Sequence, residues 1–227
     1  MNTHVESDDR GSKVQELRSS SGAVTVEDAQ RRATSSDGPD PYPGGLSEVT
    51  VVCRVQDGDV SAFEMLLSRY QRPIFRLAYR MLTDRGDAEE VVQDCFIAVW
   101  RKLPSLTDPI AFQRWIYQIA TRRCLTILRA RTRHKTDVTD TTDLEPHRQT
   151  TVWDYPALAA EHGAQIQRLH HLLQQLPDEQ RACWILKELH ELTYPEIAYA
   201  MQLPASTVRG RIARARQNLA KGMSSWR

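Results

Sequence analysis

Apolar residues recur along this chain at the spacing of α-helices, and polar stretches divide them into two blocks. The first block runs from residue 51 to residue 133, and the second begins at residue 165. No segment alternates apolar and polar residues for long enough to indicate a β-strand. The pattern therefore predicts an all-α fold of two small helical domains, the second of which ends in a helix-turn-helix.

The first block predicts helices separated by turns and prolines. Apolar residues repeat at helical spacing over 61–81, where Pro73 should bend or interrupt the helix. A turn over 83–86 precedes a second helix over 87–103. A loop with a proline near each end then leads to a last helix over 110–131.

The second block predicts two helices followed by the helix-turn-helix. Pro177 breaks the helical period after 165–176, and a helix over 178–190 follows. A short helix then starts at Thr193, and after a turn a second helix covers 207–219. Three predicted helix starts have the spacing of a capping box: Ser61 with Glu64, Asp87 with Glu90, and Thr193 with Glu196.

The composition outside the two blocks is typical of chain without a packed core. Residues 1–46 are rich in Ser, Asp, Gly, Thr and Pro, which predicts a disordered tail. Residues 134–162 are polar and acidic, which predicts a flexible linker. The predicted organisation is therefore a tail over 1–46, a first domain over 47–133, an acidic linker over 134–162 and a second domain over 163–227.

The formal net charge of +1 hides an alternation of charge along the chain. Residues 1–50 carry 5 basic and 9 acidic groups, and residues 134–162 carry 2 and 6. Residues 51–133 carry 14 basic and 9 acidic groups, and residues 163–227 carry 9 and 5. Each domain is therefore a candidate for binding a polyanion such as a nucleic acid.

The last predicted helix separates its apolar residues from its basic ones. The apolar stripe, which should pack on the domain, consists of Val208, Ile212, Ala215 and Leu219. The other faces carry Arg209, Arg211, Arg214 and Arg216, with Lys221 beyond them. No acid follows Glu196. A basic helix is often only a solvated face, but this distribution within a helix-turn-helix favours a helix laid in a DNA groove.

The helix over 87–103 has an unusual polar side. Opposite its apolar face lie Glu90, Gln93, Asp94, Ile97 and Arg101. An isoleucine among charged residues is either a single exposed apolar side chain or the centre of a protein-docking face with a charged rim. The residues alone favour neither interpretation.

The helix over 110–131 places aromatic residues ahead of an arginine run. The rings are Phe112, Trp115 and Tyr117, and the arginines that follow include Arg122, Arg123 and Arg129. Rings that stack on bases and arginines that hold phosphates suit a strand-separated nucleic acid. Alternatively, the rings belong to the core and the arginines are only solvated. We favour the core for Trp115 and nucleic acid for the arginines.

Nothing in the sequence indicates catalysis or a cofactor site. There is no Gly-rich phosphate loop, no GxSxG and no HExxH. The four cysteines show no CxxC pairing, which predicts buried free thiols in a reducing cytoplasm rather than a zinc site. No signal peptide or membrane-spanning run is evident. We therefore expect a cytoplasmic protein that is not an enzyme, with no metal, no cofactor and no membrane insertion.

The order of several motifs is specific to one family. The first domain contains Ala62-Phe63-Glu64, Glu90-Val91-Val92-Gln93-Asp94 and Trp115-Ile116. The second domain contains Leu176-Pro177, Leu192-Thr193-Tyr194-Pro195-Glu196-Ile197-Ala198 and Thr207-Val208-Arg209. The chain thus resembles the extracytoplasmic-function sigma factors of bacterial RNA polymerase, in the sigma-70 superfamily, over about residues 55–133 and 165–221.

The resemblance implies three binding roles. The first domain would dock on core RNA polymerase through Glu90, Gln93, Asp94, Ile97 and Arg101. It would open the −10 promoter element with a base-holding loop and a set of arginines: Pro104, Ser105, Leu106, Thr107 and Asp108, then Arg114, Arg122, Arg123 and Arg129. The second domain would read the −35 element through Ser206, Thr207, Arg209, Gly210, Arg211, Arg214 and Lys221. The implied partners are core RNA polymerase, promoter DNA and an anti-sigma factor.

The chain departs from the family within its two basic helices. Where the family often has Asn and Asp, it has Arg122 or Arg123 and Thr126, and it has Ser206 and Gly210 where Gly and Ser are usual. Two other classes stay open on the residues alone. A stand-alone helix-turn-helix regulator would leave the docking face and the arginine-rich helix without a role. An enzyme acting on nucleic acid would need a nucleophile or metal cluster, and none is evident.

Overall fold

The computed structural model of this protein describes residues 42–137 and 159–224. Residues 1–41 of the predicted tail (1–46) and residues 138–158 of the predicted linker (134–162) lie outside these described residues. Within them the chain forms eight α-helices and no β-strand, so the predicted all-α class is confirmed. Searched over the same residues, no helix has the length and apolar character needed to cross a membrane.

Four α-helices make up the first domain. They are α1 (Glu48–Gln56), α2 (Val60–Leu82), α3 (Arg85–Lys102) and α4 (Phe112–Asp137). Two short 3₁₀ turns, Leu103–Ser105 and Pro109–Ala111, shape the loop between α3 and α4. The central helix α2 packs against each of the other three helices. It continues through Pro73, so the proline does not interrupt the helix.

Two predicted helix starts are wrong because an aspartate lies just upstream of each. Asp59 caps α2, since its Oδ1 accepts hydrogen bonds from the Ala62 amide at 3.1 Å and from the Ser61 hydroxyl at 2.7 Å. Asp84 caps α3 by accepting from the amide of Asp87 at 2.8 Å. Aspartate is among the strongest N-cap residues, so it takes this role ahead of the predicted Ser61 and Asp87.

The first domain begins with ordered residues that the sequence analysis places in the tail. Tyr42 is only 5% exposed, and its hydroxyl donates to Glu48 Oε2 at 3.3 Å. The hydroxyl of Tyr70 donates to the same oxygen at 2.6 Å. Burial raises the pKa of the Glu48 carboxyl above its ordinary value. This network fastens residues 42–46 to α1 and α2.

The second domain consists of four further helices. They are α5 (Ala159–Gln175), α6 (Asp178–Glu188), α7 (Tyr194–Met201) and α8 (Ala205–Ser224). The predicted capping box at α7 is confirmed, because the Thr193 amide donates to Glu196 Oε2 at 2.7 Å and the Glu196 amide donates to Thr193 Oγ1 at 3.4 Å. Helix α7 ends at Met201, and the left-handed φ of 54° at its C-cap Gln202 turns the chain into α8. The helix-turn-helix is thus formed by α7 and α8.

Helix α8 packs through the predicted apolar stripe, which is buried at all four positions. Its far end lies against α5, where the backbone at Gly222 approaches the side chain of Leu172. A Cβ added to Gly222 would overlap Leu172 Cδ2, so only glycine fits without a shift of the Leu172 side chain.

The two domains pack directly against each other, which the sequence pattern did not indicate. All described residues belong to one compact unit, and one buried cluster includes Leu66 and Ile116 of the first domain with Ile185 and Ile197 of the second. Helix α7 lies on α4, while α5 and α6 lie on α2. The linker therefore connects two domains that share part of their core.

Candidate nucleic-acid and protein interfaces

The outward face of α3 has an apolar centre larger than Ile97 alone. Ile97 is 42% exposed and Trp100 is 47% exposed. The Trp100 ring packs on Phe63 in an edge-on geometry with centroids 4.9 Å apart, which holds it in place. Trp100 is not among the residues predicted for this face, although a residue three positions after Ile97 lies beside it on a helix. Glu90, Gln93 and Arg101 are exposed around this centre.

Two acids of this face contact an arginine of the neighbouring helix. The Nη2 of Arg123 on α4 donates to Glu90 Oε1 at 2.7 Å, and its Nε lies 2.7 Å from Asp94 Oδ2. All three side chains are between 37% and 54% exposed, so the pairs contribute little to stability. Residues expected to bind polymerase and a residue expected to bind DNA therefore meet in one ion-pair cluster.

Other arginines of α4 also have acidic or aromatic partners. The Nη2 of Arg114 donates to Asp108 Oδ2 at 3.1 Å, and its guanidinium carbon lies 5.1 Å from the centroid of the Tyr199 ring on α7. Arg129 lies 3.6 Å from Glu179 on α6. Arg122 is exposed on the surface of α4. Three of the four arginines assigned to the −10 element thus hold protein partners in this structure.

The loop between α3 and α4 is held by hydrogen bonds on the side that faces the protein and is exposed to solvent on the other side. The side-chain amide of Gln56 donates to the carbonyl oxygens of Leu103 and Leu106 at 3.0 and 2.7 Å. Pro104, Ser105, Thr107 and Asp108 are exposed, whereas Leu106 is half-buried. The positioning role of Gln56 could not be found from the sequence, because it depends on a contact across about 50 residues.

The aromatic residues at the start of α4 divide between core and surface. Phe112 is fully buried and packs edge-on against Tyr70, with centroids 5.4 Å apart. Trp115 is partly buried against the same core, 6.2 Å from the Phe112 ring. This agrees with the interpretation of Trp115 as a core residue.

The recognition helix α8 presents its first turns to the surface. Ser206, Arg209, Arg214 and Lys221 are exposed, and Thr207 and Gly210 are half-buried. Arg211 differs from these, because its side chain is only 18% exposed and pairs with Glu179 on α6.

Arg216 is exposed, and its side chain pairs with Glu188 at 2.6 Å. It therefore provides a reference for Arg209, which is exposed on the same helix.

The cysteines are thiols in helical surroundings. Cys95, Cys124 and Cys183 are buried, as predicted, and Cys53 is half-buried. Burial raises the pKa of Cys95 and of Cys124 to about 12, so both are protonated thiols at neutral pH and poor nucleophiles. In the part of the chain that the structure describes, no group of three His, Cys, Asp or Glu side chains could hold a metal ion.

Comparisons with known proteins match both domains to one family. Residues 66–134 match the family model of sigma-70 region 2, and residues 166–219 match that of sigma-70 region 4. The chain is 36% identical over 177 residues to the RNA polymerase sigma-H factor of Pseudomonas aeruginosa, covering 76% of this chain and 92% of that protein. It is 34% identical over 178 residues to the ECF RNA polymerase sigma-E factor of Escherichia coli K12, with the same coverage.

Two solved structures share the fold across both domains. CnrH in complex with the cytosolic domain of CnrY matches with a TM-score of 0.60 and 21% identity, over 79% of this chain and 99% of that one. The sigma factor RpoE in complex with the anti-sigma factor NepR, from Bartonella quintana, matches with a TM-score of 0.55 and 21% identity, over 74% of this chain and all of that one.

Proposed function

Because this chain belongs to the extracytoplasmic-function sigma factors, which bind core RNA polymerase and direct promoter-specific initiation at −10 and −35 elements, we propose which of its surfaces performs each task. The domain over 47–133 docks on polymerase and opens the −10 element. The domain over 163–227 reads the −35 element. The observation that carries this assignment is the presence of two exposed faces of opposite character, one on α3 and one on α8.

The docking face is the outward side of α3. Its centre is the apolar pair Ile97 and Trp100, and its rim carries Glu90, Asp94 and Arg101. An apolar centre within a charged rim is the usual arrangement of a specific protein interface. The two carboxylates favour a partner surface that carries basic residues, which would displace Arg123 from the acid pair.

The −10 site is the loop over 104–108 together with the exposed side of α4. Gln56 holds the backbone of this loop in place, so the loop can bind an unpaired nucleotide base without first being ordered. Arg114, Arg122 and Arg129 lie along α4 and would track the phosphates of the separated strand. Of these three arginines, Arg122 is the most available to bind DNA, since it is exposed and the other two contact the second domain.

The −35 site is the N-terminal half of α8. Ser206, Thr207, Arg209 and Gly210 lie where recognition helices approach base edges in the major groove. Arg214 and Lys221 lie further along the helix and suit phosphate contacts. Arg211 would contribute by orienting α8 against α6, through its ion pair with Glu179, rather than by free contact with DNA.

The proposal extends to the place of action and to regulation. The chain works by binding rather than by catalysis, in the cytoplasm where polymerase acts on DNA. One of the two solved structures of similar fold is a sigma factor bound to an anti-sigma factor, and the other is bound to the cytosolic domain of a second protein, so we expect an anti-sigma protein for this chain as well. Covering Ile97 and Trp100 would both block docking and remove an exposed apolar surface from water.

Run-off transcription with purified core polymerase tests the proposed function. We expect discrete transcripts from a library of genomic promoter fragments only when this chain is added. If the chain binds duplex DNA but adds no promoter-dependent transcripts, it is a stand-alone helix-turn-helix regulator. Metal-dependent cleavage of the same fragments would instead indicate an enzyme acting on nucleic acid.

A further inference from the structure

Gln56 is a half-buried polar residue at the end of α1, and its side chain serves another part of the molecule. A glutamine amide has two N–H donors. Its nitrogen lies 3.0 Å from the carbonyl oxygen of Leu103 and 2.7 Å from that of Leu106, so both donors are used by the loop between α3 and α4. The amide thus joins α1 to the loop that is proposed to hold an unpaired base.

Helix α1 is a firm support for this side chain. The helix packs in the core through three buried valines: Val51, Val52 and Val55. At its end, Arg54 Nε donates to Asp59 Oδ2 at 2.8 Å, and Asp59 is the N-cap residue of α2. The position of Gln56 is therefore set by contacts with the core and with the central helix of the domain.

The two carbonyl groups belong to the turn that begins the loop. The Leu106 amide donates to the Leu103 carbonyl oxygen at 3.0 Å, which closes this turn. Leu103 is fully buried, and Leu106 packs partly against the same core. Between them, Pro104 and Ser105 are exposed. Gln56 therefore holds the protein-facing side of a turn whose outer side belongs to the proposed −10 site.

This contact comes from outside the part of the chain that matches sigma-70 region 2, since that match begins at residue 66. An apolar side chain of similar length would fill the same space as Gln56. It would, however, leave both carbonyl oxygens of the loop without this donor. The amide group therefore acts on the loop, whereas the valines of α1 serve the core.

We infer that Gln56 is a positioning residue that sets the base selectivity of the −10 loop. A binding site discriminates between similar ligands only when its groups are held within about 0.5 Å of the productive geometry. The two hydrogen bonds from Gln56 provide this restraint for the loop backbone. Without them the turn can relax around other bases, so selectivity falls more than affinity. The inference rests on the proposed function, because it needs the loop to hold an unpaired base.

The experiment measures binding of the full-length chain to a single-stranded −10 oligonucleotide from a promoter mapped by run-off transcription. Each position of the strand is replaced in turn by each of the other bases. Gln56→Met removes both donors and keeps the length of the side chain. We expect it to reduce the preference for one base about fivefold or more at a single position, the one that the loop holds. Preferences at other positions, and binding of a −35 duplex, should stay unchanged.

A second variant tests the same hydrogen bonds in a different way. Gln56→Glu has the same shape but replaces the donors by acceptors, so it should reduce the same preference, and it serves as the test if Gln56→Met does not fold. Gln71→Glu makes the identical chemical change at an exposed site on α2 and is the matched control. An added negative charge weakens binding of all strands alike, so the control should keep the base preference.

Amide hydrogen exchange shows whether the loop is the cause. The Leu106 amide should exchange faster in Gln56→Met, because its hydrogen bond belongs to the turn that Gln56 holds. The Ala111 amide, which donates to the Asp108 carbonyl oxygen at 2.9 Å in the next turn, should keep its rate. Faster exchange at both amides would indicate that the variant loosens the whole domain, which would overturn a specific role of Gln56.

The binding data can also overturn the inference. An unchanged base preference in folded Gln56→Met would do so, as would an equal loss of preference at every position of the strand. If the unmodified protein shows no base preference at any position, the inference fails together with the base-holding role of the loop. Promoter-dependent transcripts in the run-off assay would in that case still support the proposed function of the whole chain.

Discussion

The two arginine-rich helices, α4 and α8, are both proposed to bind DNA through guanidinium groups, but these groups differ in the partners that they hold within the protein. On α8 the exposed Arg209 lies near the start of the helix, whereas Glu179 pairs with the largely buried Arg211 and Glu188 pairs with Arg216. On α4 the acids of other elements reach the arginines assigned to DNA. Asp108 holds Arg114, and Glu90 with Asp94 holds Arg123. The exposed start of the proposed −35 surface is therefore formed in advance, whereas arginines of the proposed −10 surface already hold partners within the protein.

This difference shows how the side chains of a proposed binding site can be in place while they still hold partners within the protein. The ion pairs on α4 lie at the surface, with side chains more than a third exposed, and such pairs contribute little free energy. Partners of this strength can be exchanged for polymerase or for phosphates at small cost. The proposed docking face on α3 and the proposed DNA-binding side of α4 then meet at Arg123, which pairs with Glu90 and Asp94.

The largest expected effect comes from breaking the acid pair on α3. We expect Asp94→Lys to weaken core-polymerase binding by about 1–3 kcal/mol, because it reverses a charge on the docking face and releases Arg123. Asp57→Lys makes the same charge change at an exposed site outside the face and is the matched control. A titration of labelled chain against core polymerase measures both. Equal affinities for the two variants would remove Asp94 from the docking face.

The contrast within α8 can be tested with two arginines of one helix. Arg209→Ala should weaken binding of a −35 duplex by about 1–3 kcal/mol, with the loss concentrated at one base pair if the guanidinium reads a guanine. Arg216→Ala should change binding less, because Arg216 lies seven positions further from the start of α8, where base edges are approached. Binding to a set of single-base variants of the duplex separates the outcomes. A uniform loss for Arg209→Ala would identify a phosphate contact, and a larger loss for Arg216→Ala would contradict the assignment.

A smaller effect is expected for the arginines at the centre of α4. Arg122→Ala should lower open-complex formation on duplex promoters several-fold, and a pre-melted bubble template should recover part of the activity. Arg123→Ala should affect DNA less than Arg122→Ala, because its guanidinium is engaged by Glu90 and Asp94. Permanganate footprinting on both templates measures the difference. Equal losses on duplex and bubble would show that Arg122 supplies only general affinity for the backbone.

The smallest effect concerns pH and the contact between the domains. Burial, with Arg80 and Arg76 nearby, lowers the pKa of His190 to about 4, and the same contact brings it beside Tyr117. The packing of the two domains therefore disfavours protonation of His190, and the stability of this packing should fall as pH drops from about 6.5 towards 4. We expect the distance between spin labels at Gln71 and Gln217, exposed residues of the two domains, to lengthen as pH falls from about 7.5 to about 5.5. His190→Gln should flatten this dependence, and an identical pH profile in that variant would exclude His190 as its origin.

Most of the helices could be predicted from the spacing of apolar residues, since each apolar stripe is recorded locally in the sequence. The stripe on α8 and the capping box at Thr193 are confirmed because both depend on residues within a few positions of each other. The starts of α2 and α3 were missed for a local reason, namely a stronger cap in Asp59 and Asp84.

The partners of the arginines could not be predicted in the same way. Arg123 meets Glu90 across 33 positions, and Tyr117 meets His190 across 73. Such contacts depend on how helices and domains pack, which periodicity does not record. Charge counting correctly identified basic domains, but it could not tell an arginine that faces solvent from one that holds an acid of the same chain.

The difference between α4 and α8 is tested most directly by one pair of binding measurements on the full-length chain. The affinities of the unmodified protein and of Tyr199→Ala are measured for a −35 duplex and for a single-stranded −10 oligonucleotide, both from a promoter mapped by run-off transcription. The account predicts that Tyr199→Ala tightens binding of the −10 strand and leaves binding of the −35 duplex unchanged. Equal changes for the two probes, or no change for either, would contradict the claim that arginines of the proposed −10 surface hold partners within the protein, among them Tyr199 on Arg114, while the start of α8 is already exposed.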